Sequence, residues 1–203
     1  MDAFSLLKAD HRKVAELFDQ LESASGKQKL TVFDQIKTEL ELHAHIEEKI
    51  FYPALEEPKE THDITLEAYE EHDVVKKLLK ELSRARSAND EWEAQAKVLR
   101  ENVEHHVEEE EGELFKQASK ALGADEIENL GEEMEAEKAR KQRGSATKSS
   151  SSKKSANKSA SKTTAGGRAA KRTTGSKKSS GSKSSGTKSR GRSGSKKSGS
   201  KKR

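Results

Sequence analysis

Residues 1–143 read as an all-α protein, an antiparallel up-down-up-down four-helix bundle followed by a short C-terminal helix, and three observations predict it. Apolar residues recur at three- and four-residue intervals with almost no β-branched alternation. The breaks between these periodic stretches are short, which favours antiparallel neighbours. At residue 144 the composition changes: residues 144–203 hold 19 Lys and Arg, no Asp or Glu, and no Val, Ile, Leu, Met or aromatic side chain. Such a segment buries too little apolar surface to offset the entropy of ordering, and it is expected to be disordered. The net charge of +4 is therefore a body at −15 joined to a tail at +19. The expected division is a bundle over 1–123, a charged helix over 124–143 and a basic Lys/Ser/Gly-rich tail over 144–203.

Each helix has its own start and stop chemistry. The first is expected over residues 2–23, capped by Asp2 and ended by Ser25 and Gly26. The second spans roughly 28–56, with Pro53 near its end and Pro58 beyond it. The third begins near Thr61, with Thr61 and Asp63 as cap candidates, and fades at Ser87 to Asn89. Asp90 is the expected cap of the fourth, which runs to about Leu122 before Gly123. A fifth segment from Asp125 carries only Ile127, Leu130 and Met134 on its apolar face, so it is expected to pack weakly or fray.

The inward stripes follow from the same spacing. They are Phe4, Leu7, His11, Val14, Phe18 and Leu21; Phe33, Ile36, Leu40, His43, Glu47, Ile50 and Ala54; Thr65, Ala68, His72, Val75, Leu79 and Leu82; and Trp92, Ala96, Leu99, Val103, His106, Glu110 and Leu114. Each stripe carries one histidine where a leucine is due. The helix lengths on either side of His11, His43, His72 and His106 match to a few residues. At about 1.5 Å of rise per residue, all four imidazoles fall in one layer. Glu47 and Glu110 follow His43 and His106 at i+4, on the same faces. Burying such a set costs several kcal/mol or more unless its lone pairs are satisfied, and a metal satisfies them together. Imidazole with carboxylate suits iron, manganese or zinc, and six ligands exceed one tetrahedral zinc. His45, His62 and His105 are out of phase with the stripes and are expected to be exposed. Glu48, Glu71, Glu108 and Glu109 are expected on a solvated face or behind the imidazoles, orienting them.

Ala9-Asp10-His11, His43-Ala44-His45-Ile46-Glu47-Glu48 leading into Phe51-Tyr52-Pro53, Glu71-His72, and His106-Val107-Glu108-Glu109-Glu110-Glu111 resemble the hemerythrin-like HHE cation-binding family over about residues 2–122. The resemblance implies a four-helix fold with a non-haem di-iron centre, two irons per chain. It implies that His11 and His43 ligate one iron, that His72 and His106 ligate the other, and that Glu47 and Glu110 bridge. Where hemerythrin's third helix has a second ligand histidine, this chain has Lys76, which leaves one iron more open to water, O2, peroxide or NO. Glu111 competes with Glu110, because oxygen-carrying members place this carboxylate five residues after the histidine; the stripe favours Glu110. Lys116 replaces a proline that often follows the second motif's aromatic residue.

With no cysteine there is no disulfide, thiolate metal site or cysteine nucleophile. No apolar run approaches a membrane span, and Met1-Asp2-Ala3-Phe4 lacks the plan of a secretory signal, so a cytoplasmic protein is expected. The ligand set serves a carrier, a sensor or a turnover enzyme alike. The tail reads as a sequence-independent ligand for nucleic acid or another polyanion. Without aromatic residues it has no stacking platform, and folding back onto the acidic body is the competing reading. Two functions are therefore expected to compete: a di-iron protein that binds or senses O2, NO, peroxide or iron, and a histone-like nucleic-acid-binding protein whose bundle is structural.

Overall fold

The computed structural model describes residues 1–156. The tail expected to be disordered falls mainly on residues 157–203, outside the described residues. The fold is all-α, with α1 (Ala3–Ser23), α2 (Lys27–Ile46), α3 (Tyr52–Glu56), α4 (Lys59–Leu82), α5 (Asp90–Glu109), α6 (Phe115–Ala121) and α7 (Ala124–Ala156). Single π-helical turns, Glu47–Phe51 and Glu110–Leu114, join α2 to α3 and α5 to α6. The four long helices expected from the sequence are thus α1, α2–α3, α4 and α5–α6. Among the described residues no helix is long and apolar enough to cross a membrane.

Most ends follow the expected chemistry. Asp2 caps α1 by accepting the Ser5 N–H at 2.9 Å, and Gly26 takes φ 54° ahead of α2. Two caps differ. Asn89, not Asp90, accepts the Trp92 N–H at 3.0 Å, because its side chain sits three residues before that donor. α4 begins at Lys59 behind Pro58, and Thr61 turns inward to donate to the Leu55 carbonyl at 2.6 Å. A buried hydroxyl needs such a partner, and this one ties α3 to α4.

The apolar stripes pack into two clusters. One gathers Val14, Phe18, Leu21, Phe33, Ile36, Leu40, Val75, Leu79, Leu82, Trp92, Leu99 and Val103. Its far end closes where Phe33 meets Trp92 edge-on at 5.5 Å and Trp92 Nε1 donates to the Leu82 carbonyl. The other gathers Leu7, Ile46, Phe51, Tyr52, Leu55, Ala68, Leu114 and Phe115 with Ile127, Leu130 and Met134. On α2–α3 the stripe departs from expectation after Glu47. Phe51 and Leu55 are buried, whereas the expected Ile50 and Ala54 are only partly so. The π turn supplies the reason: it inserts one residue and moves the stripe by one position.

The fifth segment does not fray. Ile127, Leu130 and Met134 are all buried, and α7 covers a second stripe of α1 formed by Ala3, Leu6 and Asp10. Three apolar residues suffice because ion pairs flank them: Lys138 holds Asp10, and Glu137 holds Lys49 at 2.7 Å and His45 at 2.8 Å. The helix also continues past the expected boundary at 143 to Ala156. Residues 145–156 contain neither Pro nor Gly, the two strong helix breakers.

Gly131 is the contact point between α7 and the start of the chain. A Cβ there would lie 2.2 Å from the Met1 carbonyl oxygen and 2.6 Å from the Ala3 nitrogen, so backbone would have to move. Gly131→Ala is expected to lower stability by about 1–3 kcal/mol in a thermal melt. Gly112→Ala, with nothing within 4 Å of its Cβ, is expected to be neutral or to stabilise by up to about 1 kcal/mol.

Candidate metal centre

The two apolar clusters are separated by a layer of six buried polar side chains: His11, His43, Glu47, His72, His106 and Glu110. All six residues singled out from the sequence are brought together. α1 supplies the first, α2 the second, the two π turns the glutamates, and α4 and α5 the remaining histidines. The Nε2 atoms face one another in two pairs, His11 with His43 at 3.3 Å and His72 with His106 at 3.2 Å. Glu47 Oε2 lies between the pairs, 3.0 Å from His43 Nε2 and 3.3 Å from His72 Nε2. Glu110 Oε2 does the same from the other side, 3.1 Å from His11 Nε2 and 3.9 Å from His106 Nε2. These atoms compose two overlapping groups of metal-ligand type, His11–His43–Glu47–Glu110 and His43–Glu47–His72–His106.

A ring of carboxylates stands behind the imidazoles. Nδ1 of His11 faces Glu111 at 2.7 Å, that of His72 faces Glu48 at 2.9 Å, and that of His106 faces Glu71 at 2.8 Å. Asp10 stands behind His43 Nδ1 at 3.8 Å, and its other oxygen is held by Lys138. A carboxylate accepting the Nδ1 proton fixes the tautomer and turns the Nε2 lone pair inward. The layer thus presents lone pairs to its own centre.

Without a cation that arrangement is unfavourable. Both carboxylate oxygens of Glu47 and of Glu110 are buried with no hydrogen-bond partner. Burial, reinforced by the charge of Glu110, pushes the Glu47 carboxyl well above the usual range. Burial acts the same way on Glu110, but its approach to His11 and the charge of His106 outweigh it and hold Glu110 low. Burial also depresses His43 to about 4, so its imidazole is neutral at neutral pH, the form that ligates a metal. Four unpaired carboxylate oxygens among inward-facing imidazoles fit the donor set of a borderline metal cation.

The sequence matches the hemerythrin HHE cation-binding domain over residues 2–118. The chain belongs to that family. A crystal structure of a hemerythrin HHE cation-binding domain-containing protein from Mycobacterium kansasii superposes with a TM-score of 0.63 at 27% identity, covering 72% of this chain and 90% of that one. A DNA nickase from Nostoc sp. is 30% identical over 151 residues, 72% of this chain. The chain spans only 43% of that relative's length.

In this HHE domain Glu110 points into the layer and Glu111 stands behind His11, the geometry the stripe favoured. Lys76, in place of a second histidine on α4, reaches Glu48 at 2.6 Å and so joins the groups behind His72. His62 and His105 are exposed, whereas His45 is half-buried because Glu137 of α7 lies against it. Glu48 and Glu71 stand behind imidazoles, and Glu108 is exposed. Sequence reasoning missed Asp10 and Glu111 in that role, although each adjoins a buried position. It also missed Tyr52, whose buried hydroxyl lies 3.2 Å from His72 Nε2. In an unbroken α-helix, Tyr52 would point about 140° away from Glu47. The π turn swings it onto the glutamate's face, and no sequence signal marks that turn.

Glu47→Met replaces an unsatisfied buried carboxyl by an apolar side chain of similar length. In metal-free protein it is expected to stabilise by about 1–3 kcal/mol in urea melts at neutral pH. The wild-type carboxyl, with an ordinary value near 4.5 raised by folding, favours the fold at low pH and loses that contribution as pH rises toward its folded value. The advantage of Glu47→Met should therefore widen from pH 4.5 upward; a difference that narrows would contradict the raised carboxyl.

Proposed function

We propose that this protein is a non-haem di-iron protein that binds or senses a small oxidant such as O2, NO or peroxide. His11 and His43 would hold one iron, His72 and His106 the other, with Glu47 and Glu110 as carboxylate ligands available to both. The observation that carries this reading is the set of unpaired glutamate oxygens lying between two imidazole pairs. Iron bound there supplies a redox couple and an open coordination position.

The chain's own residues account for access and orientation. A cavity of about 320 Å³ opens over the histidines between Val14, Leu40, Val75, Leu79 and Val103, with Lys76 at its edge. Apolar walls admit a small neutral molecule and exclude bulk water. The Tyr52 hydroxyl, 3.2 Å from His72 Nε2, reaches the layer from the other apolar cluster and offers a hydrogen bond to a group held there. Lys76 leaves the cavity side without the ligand a histidine would provide.

The basic residues beyond 143 supply a second function, binding of nucleic acid through phosphate contacts. Their support is the concentration of positive charge with no acidic residue, together with the similarity to a protein named a DNA nickase. The same two observations favour the second reading, a histone-like nucleic-acid-binding protein whose bundle is structural.

Two measurements separate the readings. Protein loaded with ferrous iron without air is expected to hold about two irons per chain, with absorption bands that change on reduction, and His43→Ala with Glu47→Ala should retain less than about one. A wild-type protein that takes up no iron would sink the di-iron reading. Deleting 157–203 should leave iron content unchanged while weakening binding to duplex DNA and flattening its salt dependence. Loss of iron on that deletion would mean the two parts do not act separately.

A further inference from the structure

The six inward side chains are buried, so a cation has to reach them through the protein. Two approaches exist among the described residues, and they differ in charge. The cavity over the histidines has largely apolar walls and a rim of both signs, Glu41 and Glu48 with Lys76, so it does not concentrate cations. On the opposite approach, beside α4 and the end of α5, an open depression is lined by Glu67, His105, Glu108, Glu109 and Glu113.

At the edge of that depression, Glu71, His105 and Glu109 each offer one ligand atom within 4.8 Å of the others. His105 Nε2 lies 3.4 Å from Glu109 Oε1 and 3.7 Å from Glu71 Oε1. Glu71 is shared, because its other oxygen is 2.8 Å from Nδ1 of the inner His106. A second observation lies beneath. A narrow crevice of about 10 Å³ is lined by Glu71, Glu109, His106 and Glu110. Both oxygens of that buried Glu110 carboxylate lack a hydrogen-bond partner. Ile64, Ala68 and Leu114 complete the crevice walls, and the free Glu110 oxygens share that crevice with Glu71 and Glu109, two of the three outer groups.

Building on the buried metal centre proposed above, we propose that Glu71, His105 and Glu109 form a surface site for a divalent cation that loads the centre through Glu110. One imidazole with two carboxylates suits ferrous iron, manganese or zinc better than calcium. The surrounding glutamates raise the local cation concentration. The crevice holds about one water, so transfer requires Glu71 or Glu109 to swing aside. Neither is fully buried, and a long side chain at a partly exposed position has that freedom.

The test uses the full chain stripped of metal by a chelator and mixed anaerobically with ferrous iron, with protein-bound iron measured against time. His105→Ala with Glu109→Gln should slow uptake by about five- to tenfold while final iron per chain matches wild type. Glu41→Gln, at the edge of the apolar cavity, should load at the wild-type rate. Uptake by the double variant at the wild-type rate, or equal slowing by Glu41→Gln, would overturn the loading site and leave the buried centre standing. A wild-type chain that binds no iron would overturn both.

Discussion

Everything in this fold is arranged around one unfavourable fact: four carboxylate oxygens, on Glu47 and Glu110, are buried without hydrogen-bond partners in the middle of a helical core. The apolar material is divided by them into two clusters, one on each side of the polar layer. Neither cluster is large, and the chain as a whole is only 30% hydrophobic. A leucine layer at the same height would join the clusters and remove the desolvation cost, which for an unsatisfied buried polar group is about 1–3 kcal/mol. That the layer is polar instead means its value lies in what it binds. Stability of the metal-free chain is traded for a preformed set of lone pairs.

Preformation is secured from behind. A bare imidazole on a helix can rotate and present either nitrogen. Here each Nδ1 faces a carboxylate, and those carboxylates are in turn held from outside: Glu48 by Lys76, and Asp10 by Lys138. Through Glu48, the surface cation Lys76 thus supports the tautomer of His72 at the centre, whereas Asp10 stands 3.8 Å behind His43 and adds charge without a hydrogen bond. The chain extends this scheme with α7, whose Lys138 reaches Asp10 from a helix that lies beyond residue 118, where the family match ends. The basic residues beyond 143 begin on α7 itself, so the helix that carries Lys138 is the one into which that segment runs.

How much of this could be read from the sequence depends on the range of the interaction. Helix-period signals are local, so the stripes and the matched depth of the four histidines were legible: positions from Leu7 to Leu40 and from Thr65 to Val103 are buried where the period puts them. The π turns were not, because an i→i+5 bond leaves no composition signature. On that helix the two stripe positions after Glu47, Ile50 and Ala54, are consequently out of phase, and the period gives Tyr52 no inward place. Docking of α7 was missed for a different reason. Its apolar face is three residues wide, and the ion pairs and the close approach at Gly131 that complete it involve residues about 90 to 130 positions away in sequence. Asp10 and Glu111 were visible as carboxylates, but their placement behind particular imidazoles follows from how two helices pack, which no single-helix pattern contains.

The two faces of the centre are chemically unlike, and that asymmetry follows from residues on α4. At Lys76 the chain has a cation, which pairs outward with Glu48 and Asp73 at the rim of the cavity whose walls beside His72 are Val75 and Leu79. About one turn earlier on the same helix, Glu71 turns toward α5 and meets both His105 and His106. One carboxylate therefore hydrogen-bonds an inner imidazole with one oxygen and faces an exposed imidazole with the other, linking surface to centre. The same helix thus borders two unlike surroundings of the layer, a largely apolar cavity on one side and a cluster of glutamates on the other. A cation site that is buried between imidazole pairs and reached past chemically unlike surfaces can discriminate by charge at its approaches as well as by ligand type at its centre.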